Sequence, residues 1–147
     1  MNTNRQTIEK MLESMGKEIK ETMKNSQVRI TMPNILAVEM AGEAVGLSIV
    51  KDKVKNLLMQ NEYMNIFPVS ELAKIDAQAI KDKQDKIKPP QIEKFNDEHK
   101  EGYTKGFYYG LDIGRGYISA LIHLEVEREN ALKQKQQSQQ QTRGIKR

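Results

Sequence analysis

The 147-residue sequence contains no cysteine and no tryptophan, and only 5% of its residues are aromatic. The lack of cysteine excludes disulfide bonds, thiolate metal ligands and a cysteine nucleophile. With so few aromatic residues, the core has to be built mainly from Ile, Leu, Val, Ala and Met. The length corresponds to about one domain. The sequence therefore predicts a single domain with an aliphatic core.

Long apolar runs are also absent. The stretch MNTNRQTIEKMLESMGKE lacks the apolar segment of a secretory signal peptide. The longest apolar run near the end, residues 118–124, is interrupted by Ser119 and His123. It is far shorter than the ~20 residues that span a bilayer. We therefore expect no membrane partner and a location in the cytoplasm, or in a particle made there.

The net charge of +4 is concentrated near the end of the sequence. Residues 128–147 carry six basic and one acidic residue, whereas residues 91–127 carry four basic and seven acidic residues. The near-neutral body argues against a folded surface built for a phosphate backbone. The basic tail is either a solvated segment that aids solubility or a contact for nucleic acid or an acidic partner. Its candidate contact residues are Arg143, Lys146 and Arg147.

Hydrophobic periodicity predicts an all-α fold of about four helices, with a long C-terminal helix and a disordered tail. A T-x-x-Q capping box at Thr3 opens an amphipathic helix over residues 3–25. Its apolar stripe consists of Ile8, Met11, Leu12, Met15, Ile19 and Met23. Residues 34–59 are apolar on most sides, which predicts a buried helix. The domain is expected to cover 1–133, with a loop at 60–69, helices at 70–87 and 91–136, and a Gln-rich basic tail at 134–147.

Four glycines recur every four residues within the predicted long helix. Each costs about 1 kcal/mol relative to alanine in a helix interior. A spacing of four follows one row of side chains on the helix surface, so the missing side chains leave a groove that admits a neighbouring helix at close range. We predict that this groove is an interface. Its residues are Gly102, Tyr103, Gly106, Phe107, Gly110, Leu111, Gly114, Tyr117, Ile118 and Leu121.

Two questions about the glycine row stay open at this point. The helix is either continuous or broken at Gly114-Arg115-Gly116. The partner helix belongs either to the same chain or to a second copy, and the ~68 Å length of a helix over 91–136 favours a second copy. The run EGYTKGFYYGLDIGRG resembles in its motif the glycine-repeat helices of flagellar and type III export stalk proteins. The likeness is confined to this run, and no function is carried over from it.

Patterns for catalysis or metal binding are weak. The two histidines, His99 and His123, lack the glutamate three residues earlier that a di-iron bundle requires. Glu39 and Glu43 lie one helical turn apart. This spacing fits the solvent-exposed edge of a helix, a pair of carboxyl groups for acid–base chemistry, or two of the ligands of a metal site. No phosphate-binding loop or nucleophile elbow is present. We expect no enzyme activity, no cofactor and no metal.

Two functions follow from these patterns. The first is a non-enzymatic structural or assembly protein, which forms a homo-oligomer or docks other protein subunits through the glycine groove. A ring, collar or scaffold component of a phage-like particle fits this description. The alternative is a small DNA-binding regulator with a degenerate helix-turn-helix at residues 35–58. In that case the turn lies at residues 44–48, and Lys51, Lys53 and Lys55 contact phosphates.

Overall fold

The computed structural model describes residues 1–29 and 35–145, and the side chains of residues 1–26 and 35–138. Four α-helices and a short two-stranded ribbon make up this part of the chain. The all-α prediction, with four helices and a long C-terminal one, is confirmed. In chain order the elements are β1 (Asn2–Asn4), α1 (Arg5–Arg29), α2 (Ile35–Gln60), β2 (Ile66–Pro68), α3 (Val69–Gln84), a 3-10 turn (Ile92–Lys94) and α4 (Asp97–Ile145).

Helix α2 lies at the centre and contacts the other three helices. This position follows from its sequence, because a helix that is apolar on most sides needs neighbours all round. Helix α1 runs antiparallel to it: the Ser26 hydroxyl donates to the carbonyl oxygen of Ala37 at 2.8 Å, Gly16 faces Lys51 near the middle of both helices, and Arg5 reaches the carbonyl of Leu58 at the other end. The predicted buried helix is confirmed to within one residue at each end.

The core is aliphatic, with two phenylalanines at its centre. The apolar stripe predicted for α1 is buried at Ile8, Met11 and Met15, but Met23 is 49% exposed. Thr22 and Ser26 are buried near that end of the helix instead. The largest fully buried side chains of the other elements are Leu47, Val50, Val54, Phe67, Leu72, Tyr103, Phe107, Leu111 and Ile118.

The start of α1 differs from the prediction. Residues 2–4 form strand β1, which pairs antiparallel with β2 so that Thr3 lies opposite Phe67. The helix begins at Arg5, and Asn4 caps it, since its Oδ1 accepts from the backbone N–H of Thr7 at 2.8 Å. Asparagine is as good an N-cap as threonine. Thr3 is therefore free to face inwards, and the loop predicted for residues 60–69 contains the second strand.

Helix α3 ends at Gln84, three residues earlier than predicted. Two backbone bonds close its last turn: the N–H of Asp85 donates to the carbonyl of Lys81 at 2.8 Å, and that of Lys86 donates to the carbonyl of Lys83 at 3.2 Å. Lys86 then adopts a left-handed conformation, with φ of 51°. Such a φ ends a right-handed helix, and this is why the apolar Ile87 follows the helix instead of extending it.

Helix α4 begins later and extends further than predicted. Gln91 is left-handed, with φ of 64°, and a 3-10 turn follows before Asn96 caps the helix by accepting from the backbone N–H of His99 at 3.0 Å. At the other end α4 continues to Ile145. Residues 134–138 are therefore helical, as expected of good helix formers such as Lys and Gln, and all are exposed. The side chains of residues 139–147, where the rest of the predicted tail falls, lie outside the described part.

Candidate assembly interface

Helices α2 and α4 cross with their backbones in contact. A Cβ atom placed on Gly106 would overlap the carbonyl oxygen of Glu39, and one on Gly110 would overlap that of Glu43. Residue numbers rise together along both helices at this crossing, so the two helices run parallel. The missing side chains of α4 thus admit the backbone of α2, which is the packing that a glycine at every fourth position permits.

Helix α2 supplies glycines of its own to the same crossing. A Cβ on Gly42 would lie 2.9 Å from the backbone nitrogen of Phe107, and one on Gly46 would lie 2.9 Å from that of Leu111. Contact of this closeness brings Cα–H groups against facing carbonyls, and each such contact contributes perhaps 0.5–1 kcal/mol. Sequence reasoning missed this pair, although the spacing of Gly42 and Gly46 matches that of the glycine row.

The open questions about the glycine row are answered by this crossing. Helix α4 runs unbroken through Gly114 and Gly116, so the broken-helix alternative is wrong. The groove holds α2 of the same chain, not the helix of a second copy that its length favoured. All ten predicted groove residues except Tyr117 are buried within the chain. A partner therefore has to bind a different surface.

The helix-turn-helix alternative is not supported by the geometry of α2. This helix is continuous from Ile35 to Gln60, so the turn expected near Gly46 does not exist. The three lysines also point in different directions. Lys51 lies against Gly16 of α1, Lys53 binds Asp82 of α3 at 3.1 Å, and Lys55 lines a surface cavity with Arg5 and Glu62. They do not form one basic face for a phosphate backbone.

The two glutamates singled out in the sequence line one cavity. This cavity, called here the Glu39 pocket, has a volume of about 500 Å³ and opens between α2, α4 and the end of α3. Its apolar walls include Met40, Tyr108 and Tyr109. Two further charged groups of the lining, Lys83 and Asp112, bind each other at 2.6 Å. The pocket thus combines carboxylates with aromatic and aliphatic walls.

A second acidic group lies close to Glu43 on the α1 side. Burial raises the pKa of the Glu43 carboxyl above its ordinary value, and the negative charge of Glu18 raises it further. Glu18 accepts a short hydrogen bond from the hydroxyl of Tyr117, which joins α1 to α4. Burial and this bond raise the pKa of Tyr117 to about 12. The phenol therefore stays protonated, and donates, at any ordinary pH.

The ribbon and the loop before it form one end of the molecule, called here the ribbon end. Arg5 holds this loop: its Nε donates to the carbonyl of Met64 at 2.8 Å and its Nη2 to that of Leu58 at 3.3 Å. No sequence signal marked Arg5, because its partners are backbone carbonyls. The large apolar side chains exposed at the ribbon end are Met1, Met59, Tyr63, Met64 and Ile66.

Helix α4 leaves the body at the ribbon end. Among its described side chains, Glu125 is the last that is buried, and it accepts from the hydroxyl of Thr3 at 3.1 Å. Residues 130–145, called here the arm, continue as helix for about 24 Å, at 1.5 Å per residue. Every described side chain of the arm, residues 130–138, is exposed, including Leu132 at 61%. The side chains of residues 130–137 are therefore not buried against the body.

The part of the chain that the structure describes holds neither a metal-binding cluster nor a membrane span. Within residues 1–29 and 35–145, no three His, Asp or Glu side chains cluster as metal ligands would. No helix there combines the length and apolar composition needed to cross a bilayer. The sequence matches no protein-family model, and no curated protein or solved structure matches it.

Proposed function

We propose that this protein is a non-enzymatic assembly protein, which associates with other protein subunits, and first with copies of itself. The supporting observation is the arm, a helix that continues well past the last residue packed on the body. A helix of this length is marginal alone in water and gains stability by packing against a neighbour. A partner subunit that packs against the arm supplies this contact.

The distribution of exposed apolar side chains supports the same proposal. Of the eleven large hydrophobic side chains exposed in the described part, seven lie at the ribbon end or on α4 from Leu124 onwards. Contiguous exposed apolar surface marks interaction sites in monomeric proteins. The ribbon end and the arm are adjacent, because Glu125 joins the helix to β1 through Thr3. Together they form the proposed interface, in place of the glycine groove.

Sedimentation velocity over a range of concentrations tests this proposal. The wild type is expected to associate, and the double variant Tyr63→Ser, Leu132→Ser is expected to weaken association by about tenfold or more, since exposed apolar anchors dominate such interfaces. Met23→Ser is the control, because Met23 is exposed on α1 away from this end. A wild type that stays monomeric at high micromolar concentration overturns the proposal.

Duplex DNA serves as a second probe in the same experiment. The basic charge of residues 128–147 makes weak, salt-dependent DNA binding a competing explanation for the arm. Binding of DNA by the wild type, together with no self-association, would overturn the proposal in favour of a nucleic-acid role. Association that is unchanged by DNA supports the assembly role.

A further inference from the structure

The Glu39 pocket holds negative charge that the described chain does not balance. Neither Glu39 nor Glu43 has a hydrogen bond or ion pair with any described residue, whereas Asp112 in the same pocket is paired with Lys83. The remaining cation of the lining, Lys105, also lacks an acidic partner within the described part. Two unpaired carboxylates thus share the pocket with one cation. Partly buried unpaired carboxylates are costly, and a bound cation removes that cost.

The sequence contains a segment of complementary chemistry. Residues 143–147 read RGIKR, with three cations around one isoleucine. Cations suit the carboxylates of Glu39 and Glu43, and they also suit the faces of Tyr108 and Tyr109. The isoleucine suits apolar walls such as Met40. The Glu39 pocket therefore matches this segment in both charge and apolar character.

The segment cannot reach the pocket of its own molecule. Helix α4 is continuous from Asp97 to Ile145, and Tyr109 of this helix lines the pocket. Arg143 lies 34 positions further along the same helix, which is about 50 Å at 1.5 Å per residue. A continuous helix does not fold back on itself, so the occupant has to come from another copy.

We infer that residues 143–147 of one copy bind in the Glu39 pocket of the next copy, so that the copies associate head to tail. This inference rests on the proposed function, because it names the contact through which the arm assembles. Each copy then offers one segment and one pocket, and the contact is heterologous. A heterologous contact closes into a ring when its rotation permits and otherwise extends as a filament.

Two variants of the full chain test the inference by sedimentation velocity. The pocket variant is Glu39→Gln, Glu43→Gln, which keeps the shape of both side chains. The segment variant is Arg143→Glu, Lys146→Glu, Arg147→Glu. Each is expected to weaken association by about tenfold or more, since each removes one side of the charge pairing. Added salt is expected to weaken the wild-type association as well.

Matched controls come from α1. Glu13→Gln, Glu21→Gln changes two exposed carboxylates of this helix, the same number as in the pocket variant. Lys20→Glu, Lys24→Glu reverses two exposed cations on the same helix. Neither control is expected to change association more than about twofold, because exposed charges far from a contact contribute little. A control that weakens association as much as the test variants would show a general charge effect and overturn the inference.

A mixture of the two test variants gives the most specific result. Each variant alone is expected to be mainly monomeric. The mixture retains one intact pocket and one intact segment, so it is expected to form 1:1 heterodimers and nothing longer. A labelled peptide of residues 139–147, added to the full-length segment variant, is a second measurement. It is expected to bind about tenfold more tightly than it binds a chain that carries the pocket substitutions.

The outcomes separate the inference from the proposed function. A wild type that associates, with unchanged association in the pocket and segment variants, overturns the head-to-tail contact and leaves the assembly role. A wild type that is monomeric overturns both. Heterodimers in the mixture, together with peptide binding that the pocket substitutions abolish, support the inference.

Discussion

The hydroxyl of Thr3, in the first strand, donates a hydrogen bond to the carboxylate of Glu125, near the point where α4 leaves the body. Both side chains are buried, and Glu125 also accepts from Arg128 at 3.0 Å. This bond joins residues that are 122 positions apart. It fixes the ribbon against the helix whose extension forms the arm, so it determines the geometry of the proposed interface.

Thr3→Val is expected to destabilise the fold by about 1–3 kcal/mol. The substitution keeps the shape of the side chain but leaves a buried carboxylate with one donor fewer. Urea unfolding followed by circular dichroism measures the change. Thr104→Val is the control, because the Thr104 hydroxyl only bonds a carbonyl of its own helix, that of Lys100. Equal effects of the two substitutions would contradict the role given to Thr3.

Gly110→Ala is expected to destabilise the protein by at least about 2 kcal/mol, despite the better helix propensity of alanine. The reason is that the new methyl group would overlap the backbone of α2 at Glu43 and lie 2.8 Å from the nitrogen of Leu47. Thermal and urea unfolding both report this loss.

Gly116→Ala provides the matched comparison on the same helix. No atom lies within 4 Å of the position that its Cβ would occupy. We therefore expect it to stabilise the protein by roughly 0.5–1 kcal/mol, through helix propensity alone. If the substitutions at Gly110 and Gly116 had the same effect, the parallel crossing of α2 and α4 would be disproved.

Tyr117→Phe is expected to cost about 1 kcal/mol at neutral pH, because Glu18 loses its donor. The pKa of Tyr117 is raised to about 12 in the folded state, from an unfolded value near 10. The stabilisation by the phenol is therefore complete below pH 10 and is lost as the pH rises towards 12. Wild type and variant should converge in stability over that range. Tyrosinate absorbance should show that the variant lacks a transition near pH 12.

In the segment variant, whose pocket has no cationic occupant, Glu43→Gln is expected to raise the melting temperature at pH 8 and to have little effect at pH 4. Burial raises the pKa of Glu43 in the folded state above its unfolded value. The folded state therefore binds the Glu43 proton more tightly than the unfolded state does. The stability that this proton contributes is complete below the unfolded pKa and is lost as the pH rises through the folded pKa. A neutral glutamine avoids that loss. The opposite trend, with a larger benefit at pH 4, would exclude desolvation as the dominant effect on Glu43.

The parts of the fold that were predictable depend on local patterns. The periodicity of apolar residues located the four helices, and the apolar surface of residues 34–59 placed α2 at the centre. The glycine row was also predictable, since a spacing of four residues places the glycines on one side of a helix. The short ribbon was not predictable, because strands of three residues such as Ile66–Pro68 show no usable alternation.

The pairing of distant segments was the main source of error. Gly42 and Gly46 carry the complementary spacing, but nothing within either segment says that they face Gly106 and Gly110. The predicted helix length instead favoured a second copy, because a helix longer than the domain projects from it and can pack against another subunit. Helix α4 does extend beyond the body, but only after Glu125, whereas the four glycines of the row lie within the body.

The parallel direction of α2 and α4 has a consequence for synthesis. Two parallel helices cannot be joined by a tight turn, so the chain between them has to return the full length of the bundle before Gly106 meets Glu39. The α1–α2 pair therefore emerges from the ribosome well before the helix that covers it. Until then, the backbone around Gly42 and Gly46 is uncovered, and closure is slow because it joins segments far apart in the chain. During that interval, the α4 helix of one chain can pack on the uncovered α2 helix of a neighbouring chain made from the same messenger, which gives a domain-swapped pair.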